Sequence, residues 1–320
     1  MKKANELWFT SPCKIEVKEV DLLPPKEGQL LVRSVYSMVS AGTERLVSSG
    51  QLSPQNYNEM KVPYMQGDFT FPFTYGYSLV GEVMAGDDEL KGKFVHLLHP
   101  HKEAIIVKSK DVFVLPNNTD LKNAVLASNL ETAVNAVWDS KVSIGDKALV
   151  VGFGLIGALL AGVLKLNSLV QVFVVENNPK RAALAKKLGF EVLEKVPNNY
   201  FDVAFHSSAN EVGLQQCIDA VAYEGTVVEL SWYGDKAVTL NLGGDFHSKR
   251  KKIIASQVSH IPSDKMNRWD YLRRKNLVFD ILQHDYFAQL PMIEIALEDC
   301  DVLYAHQIPL NYYLGVRIKY

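Results

Sequence analysis

Gly152-Phe153-Gly154-Leu155-Ile156-Gly157 is the feature that most narrows what this 320-residue chain can fold into. A G-x-G-x-x-G run alone is a weak signal, because small apolar segments produce it by chance. Its surroundings agree with it here. Ala148 to Val151 precedes it as a short apolar strand, and an apolar helix pattern follows from Leu155 to Leu166. A Val-rich strand, Leu169 to Val175, then ends at Glu176, nineteen positions after the last glycine. Strand, glycine turn, helix, strand and acid in that order are the fingerprint of a parallel-sheet unit that binds a dinucleotide. Gly152 allows the tight turn, Gly154 lets the backbone approach a pyrophosphate, and Gly157 lets helix and strand pack closely. The helix opening at Leu155 and Ile156 offers N–H groups and partial positive charge to phosphates. Glu176 can accept hydrogen bonds from ribose hydroxyls and repels a 2′-phosphate, which favours NAD(H). Lys180 and Arg181 either reach a 2′-phosphate or form a solvated helix face, so NADP(H) stays possible.

The run from Ala148 to Leu164 carries no charge over 17 residues, near the lower limit for a membrane span. Four glycines interrupt it and its pattern changes midway, so it reads as a buried strand, a turn and a buried helix. Hydrophobic residues make up 48% of the chain and charged residues 22%, and the net charge is −2. That excludes disorder as the main state and argues against a nucleic-acid or membrane-surface binder. Cys13, Cys217 and Cys300 are widely spaced and form no C-x-x-C pair, which fits a reducing, cytoplasmic setting. The opening MKKANELWFTSPC lacks an apolar stretch behind its lysines, so no signal peptide is expected.

The first 120 residues are β-rich. Leu30 to Tyr36, Leu79 to Met84, Lys93 to Leu98 and Ala104 to Lys108 read as strands between turn signals, with a long excursion from Val47 to Phe73. From Asp120 to Val137 the period is helical, capped by Thr119 or Asp120. Strand and helix patterns then alternate, which implies a parallel sheet covered on both faces. The texture changes back near residue 285. Ile293 to Leu297 reads as helix and Tyr312 to Lys319 as a closing strand.

At this point the chain resembles, over nearly its whole length, the medium-chain dehydrogenase/reductase family of alcohol dehydrogenase-like enzymes. The resemblance rests on Val80-Gly81-Glu82-Val83, Ile144-Gly145-Asp146-Lys147, the glycine motif and Ser207-Ser208-Ala209-Asn210. Ser40-Ala41-Gly42-Thr43-Glu44 with Ser256-Gln257-Val258 is similar to a subgroup that includes bacteriochlorophyllide-type hydroxyethyl dehydrogenases. The family implies an α/β fold in which a GroES-like β-rich catalytic domain, residues 1–120 and 286–320, flanks a Rossmann doubly wound parallel sheet, residues 121–285. It implies an active site in the cleft, Ser207 beside the cofactor, and a homodimer.

Departures from the family pattern bear on chemistry. Where zinc-dependent members carry a ligand Cys, this chain has Ala41; where their G-H-E motif stands, it reads Gly76-Tyr77-Ser78; the third ligand region falls at Glu131. A catalytic zinc needs about three protein ligands, so no zinc and no other metal is expected. Hydrogen-bond donors must then manage charge on the substrate oxygen. Thr43 matches the family's proton-relay hydroxyl, Tyr77 can donate its phenol proton or merely fill the vacated volume, and Glu131 can act as base, water holder or structural acceptor. Of His96, His99 and His101, the last two fall on one face of an extended segment and read as two metal ligands, as cleft-lining residues or as a strand end broken by Pro100. Lys249 to Lys252 reads as a solvated turn, and Arg268, Arg273 and Arg274 as surface ion pairs, a domain edge or a contact for an anionic substrate carboxylate. The aromatic stretch Tyr64 to Tyr77 fits either a core or a bulky, planar small-molecule substrate. The expected activity is zinc-independent, NAD(P)-dependent hydride transfer between nicotinamide and an alcohol/carbonyl or polarised double bond. The second reading is a dinucleotide-binding sensor or partner module without catalysis.

Overall fold

Alternating apolar and polar residues through the first hundred positions build antiparallel strands, as a half-buried pleated surface requires. The structure is a computed structural model that describes residues 2–305 and 312–320. It divides into two units, one of Met1–Ser128, Met292–Leu310 and Gly315–Tyr320, the other of Asn129–Pro291 and Asn311–Leu314. In the first unit β1 (Lys2–Ser11) and β2 (Lys14–Leu22) form a hairpin. Strand β3 (Gln29–Val39) pairs antiparallel with β4 (Leu79–Ala85) and with β6 (Ala104–Lys108). Strand β5 (Phe94–Leu97) joins β4 to β7 (Phe113–Val114). Inward-facing Leu30, Val32, Leu79, Val83, Val95, Leu97, Ile105 and Val107 make one core cluster.

The second unit holds six parallel strands: β8 (Lys147–Val151), β9 (Gln171–Val175), β10 (Glu191–Val192), β11 (Phe201–His206), β12 (Val221–Glu229) and β13 (Lys252–Ala255). Their spatial order is β10-β9-β8-β11-β12-β13. The chain winds outward from β8 to β10 and then returns to β11, so the switch point lies between β8 and β11. Ligands of such sheets bind outside the carboxyl ends of the strands at that point. Ala148, Leu149 and Val150 are wholly buried, as strands covered on both faces must be. Helices are capped where the chemistry predicts. Asn178 accepts from the Lys180 and Arg181 N–H groups ahead of helix Pro179–Lys187, and Asn210 accepts from Gly213 N–H ahead of helix Glu211–Ala220.

Three expectations are corrected. The segment Asp120–Val137 is two helices, Leu121–Ala124 and Ala127–Ser140, with Asp120 capping the first. Ile293–Leu297 is not helical: β14 (Met292–Ala296) runs parallel to β15 (Gly315–Lys319), which pairs antiparallel with β3. Five residues are too few for a period to separate strand from helix, and a partner strand distant in sequence decides. Lys251 is not solvated. It is buried, and its ammonium donates to the Ile218 and Asp219 carbonyls, 2.7 and 3.3 Å away, at the end of helix Glu211–Ala220. Residues 306–311, expected in the catalytic-domain tail, lie outside the described residues.

His99 is buried, stacks on Tyr64 with ring centroids 5.2 Å apart, and has Nδ1 2.8 Å from the Pro100 carbonyl. Burial pushes its pKa down to about 4, against an opposing contribution from that carbonyl bond. A folded-state pKa below the unfolded value makes the unfolded chain the better proton acceptor, so stability present above about pH 6.5 is lost as pH falls toward 4. The difference is on the order of 3 kcal/mol. His99→Gln is expected to flatten the fall of the thermal midpoint between pH 6.5 and 4.5; a slope equal to wild type would show that another group drives it.

Candidate functional site

The glycine turn sits at the carboxyl end of β8. Gly152 adopts φ +98°, which only glycine holds without strain, and its N–H donates to the Val175 carbonyl at 2.9 Å. A Cβ on Gly157 would stand 1.9 Å from the Gly152 carbonyl oxygen, so helix Leu155–Lys165 rests directly on the turn. Gly154 is the N-cap of that helix, and no side chain caps it. A Cβ there would find nothing nearer than Arg181 Nη1 at 3.8 Å. The space above Gly154 is therefore open, and helix N–H groups border it.

The acid after β9 closes the arrangement. Glu176 accepts from Phe153 N–H at 2.8 Å on one carboxylate oxygen and from Asn178 N–H at 2.7 Å on the other. It ties the glycine turn to the next helix and keeps a lone pair on each oxygen. Arg181 is half-buried, with Nη2 3.4 Å from the Tyr313 carbonyl, so it is not part of a solvated face, whereas Lys180 is exposed. Ser207 Oγ donates to the Gly152 carbonyl at 3.0 Å, holding the turn from the β11 side. Leu155 is buried, and Ile156 is half-buried beside the open space. Open approach, an anion-favouring helix end, a carboxylate and a cation together suit a dinucleotide.

In the first unit Thr43 and Tyr77 are brought together. The Tyr77 phenol hydrogen-bonds with the Ser40 and Thr43 hydroxyls at the start of helix Ala41–Ser48. Burial pushes its pKa up to about 12; those two bonds oppose the rise and the nearby Glu44 charge adds to it. The phenol therefore keeps its proton at neutral pH. Ser128 Oγ donates to the Tyr77 carbonyl at 2.9 Å, and Ser78 Oγ donates to the Val125 carbonyl at 2.6 Å, which fixes this loop.

Behind them lies a group whose role the sequence does not reveal. Glu44 is wholly buried and accepts from Ser40 N–H at 2.9 Å, His101 Nε2 at 3.1 Å and the Tyr304 hydroxyl at 2.5 Å. His101 Nδ1 meets Ser37 Oγ at 2.7 Å, which meets the Tyr320 hydroxyl at 2.8 Å. Three donors are what a buried carboxylate needs. His99 and His101 make no shared ligand pair. Among the described residues no three His, Cys, Asp or Glu side chains gather where they could hold a metal ion.

Glu131 lies in the other unit, buried. Arg274 Nε reaches one of its oxygens at 3.3 Å and Lys275 the other. Arg274 also donates to Asn135 Oδ1 at 3.0 Å and the Val258 carbonyl at 2.8 Å, so it is an interior residue and not the surface cation expected from sequence. Burial holds Lys275 below the usual lysine range, against the pull of Glu131.

A second unforeseen group closes β11 and β12. His206 is wholly buried between Glu229, whose oxygens stand 2.8 and 2.9 Å from Nδ1, and Ser208 Oγ, 2.7 Å from Nε2. The available signal was a polar residue ending each of two apolar strand runs, Val203-Ala204-Phe205-His206 and Thr226-Val227-Val228-Glu229.

No protein-family model matches the chain. D-guloside 3-dehydrogenase of Escherichia coli (strain K12) is 25% identical over 234 residues, covering 67% of each chain. The structure of 2R,3R-butanediol dehydrogenase from Bacillus subtilis superposes with TM-score 0.79 at 19% identity over 99% of both chains. A Sinorhizobium meliloti 1021 dehydrogenase described as zinc-binding, and bound to NADP, gives TM-score 0.79 at 16% identity over the whole of both chains. The structural likenesses show the fold, a Rossmann-like parallel sheet with a GroES-like mixed sheet. The relative of 25% identity is by its name a dehydrogenase. Among the described residues no helix is long and apolar enough to cross a membrane.

The two inner glycines should separate on substitution. Gly157→Ala drives a methyl into backbone and is expected to cost about 3 kcal/mol or more. Gly154→Val places its Cβ in ordinary contact with the flexible tip of Arg181, 3.8 Å away, at an unstrained φ of −76°, and should leave the melting temperature of the free protein close to wild type. Equal destabilisation by both would contradict this geometry.

Proposed function

We propose that this chain is a zinc-independent, NAD(P)-dependent oxidoreductase that interconverts an alcohol and a carbonyl, or reduces a polarised double bond. The observation that carries the reading is the open space over Gly154, bordered by the helix N-terminus, with Glu176 and Arg181 at its edges. The glycine turn takes the pyrophosphate, and Glu176 accepts from ribose hydroxyls. Glu176 favours NAD(H), while Arg181 leaves NADP(H) accessible. A nicotinamide cofactor bound there supplies or accepts hydride.

The residues at the family's ligand positions fit zinc poorly, and that supports the metal-free reading. Ala41 has no lone pair, and neutral Tyr77 and Ser78 are weak donors. Glu131 is the one carboxylate in the set, and two cations already engage it. Glu131 is accordingly a positioning residue and not a base. Tyr77 donates a hydrogen bond to the substrate oxygen and stabilises charge that develops there, while Thr43 and Ser40 hold the phenol in place. The substrate is a small molecule, bulky or planar in keeping with the Tyr64–Tyr77 aromatic stretch. The working form is a cytoplasmic homodimer.

Tyr77→Phe is expected to lower kcat by about 10²-fold or more while KM moves little, in steady-state kinetics with carbonyl substrates. Unchanged kcat would remove Tyr77 from the reaction. Gly154→Val should abolish NADH binding in fluorescence titration although the protein folds. Chelator-treated enzyme should keep full activity with sub-stoichiometric zinc by elemental analysis; activity restored only by added zinc would overturn the metal-free reading.

A further inference from the structure

The Ser208–His206–Glu229 group lies at the carboxyl edge of the parallel sheet, beside the switch point. A Cβ on Gly152 would come within 3.1 Å of Ser208 Cα and Cβ, so Ser208 stands against the glycine turn itself. Ser208 is half-buried, whereas His206 behind it is wholly buried. Helix Glu211–Ala220 presses on the pair: a Cβ on Gly213 would stand 2.3 Å from Ser208 Oγ and 3.0 Å from His206 Nε2. The geometry of all three side chains is thus constrained from both sides.

The hydrogen bonds can be followed atom by atom. Glu229 accepts from Ser231 N–H at 2.7 Å and from the Tyr233 hydroxyl at 3.2 Å, and both its oxygens face His206 Nδ1. A carboxylate has only lone pairs to offer, so Nδ1 carries the ring proton. With the ring as the neutral Nδ1–H tautomer, which the proposal below requires, Nε2 is an acceptor and takes the Ser208 hydroxyl hydrogen. Asn210 holds Ser208 from the third direction. Its Oδ1 accepts from Gly213 N–H at 2.8 Å, which orients the amide so that Nδ2–H donates to Ser208 Oγ at 2.8 Å. Of Ser208's one donor and two lone pairs, the donor and one lone pair are engaged. A single lone pair remains.

We propose that Ser208 is a cofactor-recognition residue whose polarity the buried His206–Glu229 pair fixes as acceptor-only, so that it takes a ribose hydroxyl of the dinucleotide and rejects a phosphate oxygen. A phosphate oxygen offers only lone pairs and would meet another lone pair; a ribose hydroxyl brings the missing hydrogen. His206 and Glu229 are positioning residues, since neither faces the ligand. The inference rests on the dinucleotide reading above and adds a specificity element on the β11 side of the turn, opposite Glu176 on the β9 side. Two riboses share this chemistry, and the experiment tells them apart.

Ser208→Ala should fold with a melting temperature near wild type and weaken NADH roughly three- to tenfold in fluorescence titration. Glu229→Gln can donate an amide hydrogen to Nδ1, which moves the ring proton to Nε2 and turns the Ser208 hydroxyl outward. A ribose oxygen can accept from the turned hydroxyl, so NADH should weaken less than in Ser208→Ala, and the double variant should match Ser208→Ala. Loss of ADP affinity alongside NADH in Ser208→Ala assigns the adenosine ribose; loss confined to NADH assigns the nicotinamide ribose. ¹⁵N NMR of the wild-type imidazole should report a neutral ring protonated on Nδ1, and a doubly protonated or Nε2-protonated ring overturns the proposal without any variant. NADH affinity unchanged by Ser208→Ala overturns it while leaving the dinucleotide reading intact. Failure of wild type to bind NADH or NADPH overturns both.

Discussion

The second unit depends on a backbone contact that leaves no room for a carbon atom. Helix Leu155–Lys165 begins so close to the end of β8 that the position of a methyl on Gly157 is 1.9 Å from the Gly152 carbonyl oxygen. That approach fixes the direction in which the helix N-terminus points. It also fixes the emptiness above Gly154, because a helix seated farther from the strand would leave its first N–H groups aimed elsewhere. Ser207 from β11 and Glu176 from β9 then hold the turn from its two sides. The turn is thus held by both strands that neighbour β8, and what binds there meets a surface organised before it arrives.

How much of this could be read from the residues varies with the kind of signal. The alternation of β8 to β12 with helices was legible because buried parallel strands are nearly unbroken apolar runs and because glycine and proline punctuate them, whereas β13 begins where a solvated turn was expected. Strand β6 (Ala104–Lys108) was recovered to the residue. Strand β14 was not, because its identity comes from β15 some twenty residues later and not from its own period. Helix Leu121–Ala124 was merged with its successor because Val125 and Leu126 keep the apolar rhythm while the backbone turns out of it. Boundaries set by tertiary contact have no local signature.

The side-chain groups follow the same rule. Thr43 and Tyr77 were each singled out through a family pattern, but their contact with one another was not. Glu44 was printed in the same motif, yet its partners His101 and Tyr304 are 57 and 260 positions away. No spacing rule connects them. Arg268, Arg273 and Arg274 read alike as surface ion pairs or a domain edge, whereas the helix leaves Arg273 exposed and turns Arg274 inward onto Glu131, Asn135 and the Val258 carbonyl. Buried charges are placed by the groups that compensate them, and those groups are scattered along the chain.

The clamp on Glu131 has a consequence for what this carboxylate could bind. The carboxylate is buried and held by a guanidinium and an ammonium. An incoming dication would have to displace those two positive charges, or coexist with them at close range. Freeing Glu131 for a cation therefore begins at Arg274 and Lys275, the two residues that hold it.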